Sequence, residues 1–283
     1  MPCDEKVAIV TGASSGMGLA LSRDLVQKGW RVAMTDIRPN AELSRELGDR
    51  ASFFETNVAD YDSQAKTFQA VWDKYGRIDA LLANAGIVDR SSIYIFKHKG
   101  KDEIPPKPDL SCTDVDYKGV VYGTQLAIHF MRKNKIPGGQ IIATVSIAAV
   151  HPHETYPEYD GAKAAVLNFI YATARILKAK ENISINGVLP GIVHTSIIPP
   201  EMITAVSPEC LTPVSTIVAA YDQLLSDPSI HGQAIEGSVE KCLLVPRNEV
   251  FLNGYKSKRA VTVWEPLFEM NHGEKSGLAD AIA

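Results

Sequence analysis

Lys6-Val-Ala-Ile-Val-Thr11-Gly12-Ala-Ser-Ser-Gly16-Met-Gly18 is the stretch on which the reading of this chain turns. Its first half is a short apolar run closed by glycine, the pattern of a strand buried on both faces. Its second half is glycine-rich, and residues 19–28 follow with helical periodicity up to Gly29, a C-terminal stop. Strand, glycine turn and helix in this order bring free backbone N–H groups and the positive end of a helix dipole to one point, where an anion is favoured. Gly12, Gly16 and Gly18 permit the tight turn and the close approach of a pyrophosphate to backbone.

Working outward, the alternation repeats. Strand patterns at 31–35, 51–56, 78–83, 139–145 and 183–188 interleave with helical patterns at 41–47, 61–75, 114–133, 159–180 and 213–226, and a last strand lies within 233–245. Such repetition builds βαβ units and a parallel sheet with helices on both faces. The expected fold is α/β, a Rossmann-type doubly wound parallel sheet of about seven strands forming one domain over 1–283. Two stretches break the rhythm: a polar, proline-bearing excursion at 89–111 and a tail after about 246 with no clear period.

Composition agrees. Of 283 residues, 45% are hydrophobic and 22% charged, an ordinary globular balance with length enough for a full core. A net charge of −4 argues against a nucleic-acid surface, which needs a basic excess. No apolar run approaches the ~18 residues of a membrane span, and the N-terminus lacks the basic-then-apolar pattern of a secretory signal. A cytoplasmic protein without membrane or nucleic-acid partners is expected. Cys3, Cys112, Cys210 and Cys242 are scattered, as free thiols in a reducing compartment are. His151-Pro-His153-Glu154 is too thin a set for a metal and reads as a pocket border, so no metal is expected.

The chemistry gathers at strand ends. Asp36 closes the second strand, where a carboxylate accepts hydrogen bonds from both ribose hydroxyls and repels a 2′-phosphate. This favours NAD over NADP, although Arg38 is a residue that would accommodate the extra phosphate. Asn84-Ala85-Gly86 follows the fourth strand, on the edge where a doubly wound sheet takes its ligand. Tyr159-x-x-x-Lys163 puts a phenol and an ammonium on one helical face, and the ammonium is expected to lower the phenol from its ordinary ~10. Ser146, just past the fifth strand, offers a hydroxyl to a substrate oxygen. A phenol so placed exchanges a proton with an alcohol while hydride moves to or from nicotinamide.

In this order, Thr11-Gly12-x-x-x-Gly16-x-Gly18, Asp36, Asn84-Ala85-Gly86, Ser146, Tyr159-x-x-x-Lys163 and Pro190-Gly191 closely resemble the short-chain dehydrogenase/reductase family over about residues 6–245. The resemblance implies that Ser146 orients the carbonyl or alcohol, that Tyr159 is the acid/base, and that Lys163 binds ribose and tunes Tyr159. It adds Ser15, Met17, Asn57, Val58, Asn84 and Gly86 to the cofactor lining, and Pro190, Val193 and Thr195 at the nicotinamide end. Gly76-Arg77-Ile78-Asp79 and His231-Gly232-Gln233-Ala234 are similar to 15-hydroxyprostaglandin dehydrogenase-type members, which oxidise secondary alcohols on apolar substrates with NAD. Tyr156 and His194 take pocket positions, and 197–211, with Met202, the position of a substrate lid. Asp116, counted among the catalytic residues, stands where the family has an asparagine whose main-chain carbonyl holds a relay water; its side chain brings charge near Lys163. The helices at 114–133 and 159–180 are the pair the family uses to form homodimers or homotetramers.

The leading expectation is an NAD(H)-dependent oxidoreductase acting on a secondary alcohol or ketone of a fairly apolar small molecule. The alternative is a cofactor-binding protein without redox turnover, a sensor or a cyclase scaffold, and Asp116 is the one feature that favours it.

Overall fold

The computed structural model describes residues 4–195, 198, 200–247 and 250–283, with the backbone alone for Pro200 and Met202. The first half runs β1 (Val7–Thr11), α1 (Gly16–Gln27), β2 (Arg31–Asp36), α2 (Ala41–Leu47), β3 (Ala51–Glu55), α3 (Tyr61–Tyr75) and β4 (Ala80–Ala83). A single turn, α4 (Ser111–Thr113), passes through a π-helical turn (Asp114–Lys118) into α5 (Gly119–Met131). Then come β5 (Gly139–Thr144), α6 (Pro157–Glu181), β6 (Ile183–Pro190), β7 (Ile192–Val193), α7 (Pro200–Ala205), β8 (Leu211–Thr212) and α8 (Val214–Ser226). The chain closes with β9 (Ala234–Ser238), β10 (Lys241–Leu244), α9 (Tyr255–Ala260) and α10 (Glu265–His272).

The main sheet has eight strands in the order β10-β9-β6-β5-β4-β1-β2-β3. All its pairings are parallel except β9 with β10. Strand alternation sorts the side chains into two cores. Val7 and Ile9 face Phe68 and Val71 of α3, Ala127 of α5 and Ile170 of α6. Ala8 and Val10 face Leu21 and Leu25 of α1 and Ile217 and Tyr221 of α8. With both faces covered, the strands need no polar positions, which is why they read as unbroken apolar runs. Local signals set the helix ends. Asp60 caps α3 through the N–H groups of Asp62 and Ser63, and Gly76, at φ 69°, closes it in the left-handed conformation that glycine adopts at little cost.

Three expectations change. The segment 233–245 holds an antiparallel hairpin, not one strand, so the sheet gains an edge. The helix expected at 114–133 starts earlier and carries a π-helical turn, an irregularity that leaves no mark on apolar periodicity. The tail contains two short helices and lies on α6 through Arg175–Asp280 and Lys180–Glu274 ion pairs. The excursion after β4 has a 3-10 turn at Phe96–His98 and is clasped at its base, where the Ser91 hydroxyl donates to Asp109 O and accepts from Asp109 N.

β1 and β4 lie side by side at the centre, and from them the chain winds to opposite halves of the sheet, so a crevice opens at their carboxyl ends. A buried hydrogen-bond chain ties this point together. Thr11 Oγ1 accepts from Asn84 N and Ala85 N, both at 2.9 Å, and Asn84 Nδ2 donates to Thr11 O at 3.0 Å. Thr144 Oγ1 donates to Asn84 Oδ1 at 3.1 Å and lies 2.6 Å from the Tyr221 hydroxyl. Thr144→Val keeps the volume but strips both partners of their bond in a dry interior. We expect it to cost about 1–3 kcal/mol, read as a lowered urea midpoint against wild type.

Candidate active site

The glycine turn is built as its sequence requires. Gly12 and Gly16 sit at φ 67° and 52°, where a side chain is strained. A Cβ on Gly18 would stand 2.1 Å from Gly12 O, so the helix start presses directly on the turn. Beside it opens a cleft of about 490 Å³. Of the residues expected at a cofactor, Gly12, Ser15, Gly16, Met17, Asp36, Asn57, Val58, Asn84, Gly86 and Thr195 line it. Gly18 lies beneath the turn instead. Pro190 is in β6, in register with Gly237, and the Val193 side chain is buried in the core, so neither lines this cleft. Asp36 has a second duty: its carboxylate accepts from Ser14 N and Arg38 N and so holds the turn to the end of β2. Arg38 also borders the cleft.

Tyr159 and Lys163, also expected at the cofactor, do not line the cleft, nor does Ser146; the cleft borders this expected catalytic group through Gly86. A Cβ there would lie 2.9 Å from Asp116 Oδ2 and 3.4 Å from Lys163 Nζ. Ser146, buried just past β5, accepts from Ala148 N at 3.1 Å and lies close enough to the Tyr159 phenol to favour its ionised form. Lys163, also buried, donates to Thr144 O at 2.8 Å, and its Nζ is 5.5 Å from the centre of the Tyr159 ring. Asp116 is fully enclosed, with Oδ1 accepting from Ile87 N at 2.8 Å and Oδ2 3.0 Å from Lys163 Nζ. That last contact is an ion pair without hydrogen-bond alignment.

The electrostatics correct one expectation. Lys163 does pull the Tyr159 phenol down, as does Ser146, but burial pushes it up, Asp116 and Cys112 push it further, and the net direction is upward. Burial also works against the Lys163 ammonium, yet Asp116 and Tyr159 outweigh it and the lysine ends above its ordinary value. Burial raises the Asp116 carboxyl, while Lys163 and the Ile87 N–H act against the rise.

Sequence reasoning missed several participants. Asp89 accepts from Glu158 N at 3.0 Å and Tyr159 N at 2.8 Å, capping the first turn of α6 from 70 residues away. Glu158 in turn accepts from Thr113 N and Thr113 Oγ1, tying α4 to α6. Ser111 lines the cleft with an enclosed hydroxyl that has no hydrogen-bond partner, and Arg90 lies at the rim. These residues sit in or beside the aperiodic excursion, where no local pattern marks them. Other expected pocket residues are peripheral. His151, Glu154 and His194 are exposed, and the His153 ring packs on Tyr156 with Nδ1 3.3 Å from Asp160. Of the expected lid, the structure describes α7 and β8, while Ile197 and the Met202 side chain lie outside the described residues. Cys112 is buried, its thiol pushed up by burial and donating to Ile87 O, whereas Cys210 is exposed and Cys3 lies outside the described residues.

The family model described as short chain dehydrogenase matches residues 6–202, and the chain belongs to the short-chain dehydrogenase/reductase family of oxidoreductases. Among its relatives is the short-chain dehydrogenase/reductase prx6 of Penicillium rubens, 54% identical over 99% of this chain and 98% of that protein. Human 15-hydroxyprostaglandin dehydrogenase [NAD(+)] is 28% identical over 70% of this chain and 72% of its own length. The fold is shared with the crystal structure of 3-ketoacyl-(acyl-carrier-protein) reductase from Brucella melitensis complexed with NADH. That match has a TM-score of 0.71 at 22% identity, covering 82% of this chain and 96% of the other.

The cap on α6 generates a prediction. Asp89→Ala leaves two first-turn N–H groups of this helix without their acceptor. Unfolding should require about 1–2 kcal/mol less, seen as an earlier melting transition.

Proposed function

We propose that the protein is an NAD(H)-dependent oxidoreductase that transfers a hydride between nicotinamide and the secondary alcohol or ketone carbon of a fairly apolar small molecule. The observation that carries this reading is the Tyr159 phenol, set between the Ser146 hydroxyl and the Lys163 ammonium beside the Gly86 end of the cleft. The residues present suit a dinucleotide. The turn at Gly12 and Gly16 leaves room where a Cβ would intrude, and α1 begins at Gly16 with its positive end towards that turn. Asp36, on the cleft wall, suits a free ribose diol better than a 2′-phosphate. The human relative is an NAD(+) dehydrogenase by name and the Brucella reductase was crystallised with NADH, which accords with this choice.

When bound, nicotinamide supplies the hydride acceptor or donor. In oxidation, Ser146 holds the substrate oxygen and the ionised Tyr159 takes the hydroxyl proton as the carbinol C–H electron pair departs as hydride, leaving a C=O bond. In reduction, the neutral phenol returns that proton to the oxygen while the carbon gains hydride. Lys163 stands beside the phenol ring and offers N–H donors to a ribose. An apolar substrate is supported by the excursion: the Tyr94 hydroxyl donates to Glu154 O in the loop between Ser146 and Tyr159, which brings the exposed Ile93, Tyr94 and Phe96 to that side.

The site draws on residues from Gly12 to Thr195, which fits a single domain. Self-association as a homodimer or homotetramer through α5 and α6 belongs to the same reading, with the tail on the C-terminal half of α6. So does a cytoplasmic location; among the described residues no helix is long and apolar enough to cross a membrane.

Protein mixed with NAD and a panel of secondary alcohols should generate NADH absorbance, and Tyr159→Phe should lower kcat/KM by roughly 10²–10⁴-fold. Equal activity in the two proteins would remove Tyr159 from its role. Asp36→Ala should lower the NAD-to-NADP ratio of kcat/KM by roughly tenfold, through loss of the ribose acceptor and of the repulsion.

A further inference from the structure

The reaction above has no use for the side chain of Asp116, yet that side chain is fully buried inside the π-helical turn. An enclosed carboxylate is retained only when other groups compensate its charge. Here the compensation is Ile87 N–H at 2.8 Å and Lys163 Nζ at 3.0 Å. Lys163 itself is anchored by Thr144 O and stands 5.5 Å from the Tyr159 ring centre. One ammonium therefore faces two acidic groups, the Asp116 carboxylate and the Tyr159 phenolate whenever it forms. The carboxylate is in direct contact. Seen from Tyr159, the Asp116 charge opposes that of Lys163 and offsets part of it, the ammonium remaining the larger influence of the two.

The other groups around this pair add no positive charge. Asp116 of the π-helical turn acts on both Tyr159 and Lys163 and disfavours the phenolate, while Cys112 of α4, its thiol kept protonated by burial, is neutral. Ser146, just past β5, favours the phenolate. Glu158 bears on Asp116 and Cys112, and Asp89 on Cys112; both are carboxylates. Gly86 completes the arrangement, because a Cβ there would meet Asp116 Oδ2 at 2.9 Å.

We propose that Asp116 is a positioning residue: by pairing with Lys163 it withholds the ammonium's charge from Tyr159, so that the site gives a proton to a ketone at neutral pH and takes one from an alcohol only in alkaline solution. This rests on Tyr159 being the proton-transfer group. The sign follows from the charges. Removing the carboxylate leaves the ammonium unopposed, favours the phenolate, and moves its formation to lower pH. Oxidation, which needs the phenolate, then begins at lower pH, and reduction, which needs the phenol, fades at lower pH.

Asp116→Asn keeps the size and removes the charge. Rate–pH profiles of the full chain, wild type and variant, are recorded with NAD and a secondary alcohol and with NADH and a ketone. The rising limb of oxidation should move to lower pH, and just below the wild-type midpoint the variant should oxidise roughly three- to tenfold faster. The falling limb of reduction should move the same way. A side chain that only fills space would change rates or melting temperature and leave both limbs in place, and that result overturns the proposal. A second measurement needs no turnover: phenolate absorbance is titrated in cofactor-free wild type and in Asp116→Asn, each with its Tyr159→Phe counterpart subtracted. Because burial raises the phenol in both proteins, the comparison isolates the carboxylate: Tyr159 should ionise at lower pH in the variant, and equal midpoints overturn the proposal. If Asp116→Asn does not fold, Asp116→Ser takes its place; if no alcohol or ketone is turned over, the oxidoreductase reading fails and the paired titration still decides for or against Asp116.

Discussion

Thr11 does more for this fold than its size suggests. Its hydroxyl accepts two backbone N–H groups from the turn after β4, and its carbonyl accepts the Asn84 amide. Those N–H groups lie where two neighbouring strands part. Asn84 N also reaches Leu82 O at 3.0 Å, whereas Ala85 N depends on Thr11, and losing that acceptor would cost free energy comparable to a lost hydrogen bond. With them satisfied, β1 and β4 end at a common level, the glycine turn and Asn84-Ala85-Gly86 face each other, and the cleft between them has a floor. Asn84 passes the constraint on to Thr144 of β5, and Thr144 to Tyr221 of α8. Thr144 also presents the carbonyl that anchors Lys163. The position of the ammonium is thus set by a network that begins on β1, two strands from the β5 carbonyl that anchors it.

A second set of contacts places the phenol. Pro157 opens α6 without an N–H to satisfy, and the next two N–H groups are taken by Asp89. Glu158 reaches the other way to α4. The helix that carries Tyr159 and Lys163 is therefore held at its first turn by the excursion on one side and the irregular helix on the other. The two systems meet at Asp116, whose backbone belongs to the π-helical turn and whose carboxylate touches Lys163.

Elements whose cause is local were legible in the sequence. Val7 to Thr11 is apolar throughout because both sheet faces are covered; Asp60 and Gly76 bound α3 through bonds within one turn. The glycine turn was readable because positive φ and close packing leave glycine little competition. The Tyr159–Lys163 face followed from helical spacing alone. Contacts made across the fold left no such trace. Nothing near Asp89 points to a helix start 70 residues on. Periodicity cannot show a π-helical turn, since the apolar side of the helix continues through it. The direction of the Tyr159 shift was misjudged because spacing reveals the ammonium four residues away but not how deeply the phenol is enclosed, and burial is the largest influence on it.

The clasp between Ser91 and Asp109 has an evolutionary side. It joins the two ends of the excursion, so the residues between them form a closed loop whose tip carries exposed apolar side chains such as Ile93 and Phe96. Closing a loop costs little more as it lengthens, about 0.6 kcal/mol for each doubling. Insertions and replacements beyond the clasp therefore leave Asp89 and the start of α6 untouched. A lineage can rewrite the side chains carried there, one loop at a time, while inheriting the first turn of α6 whole.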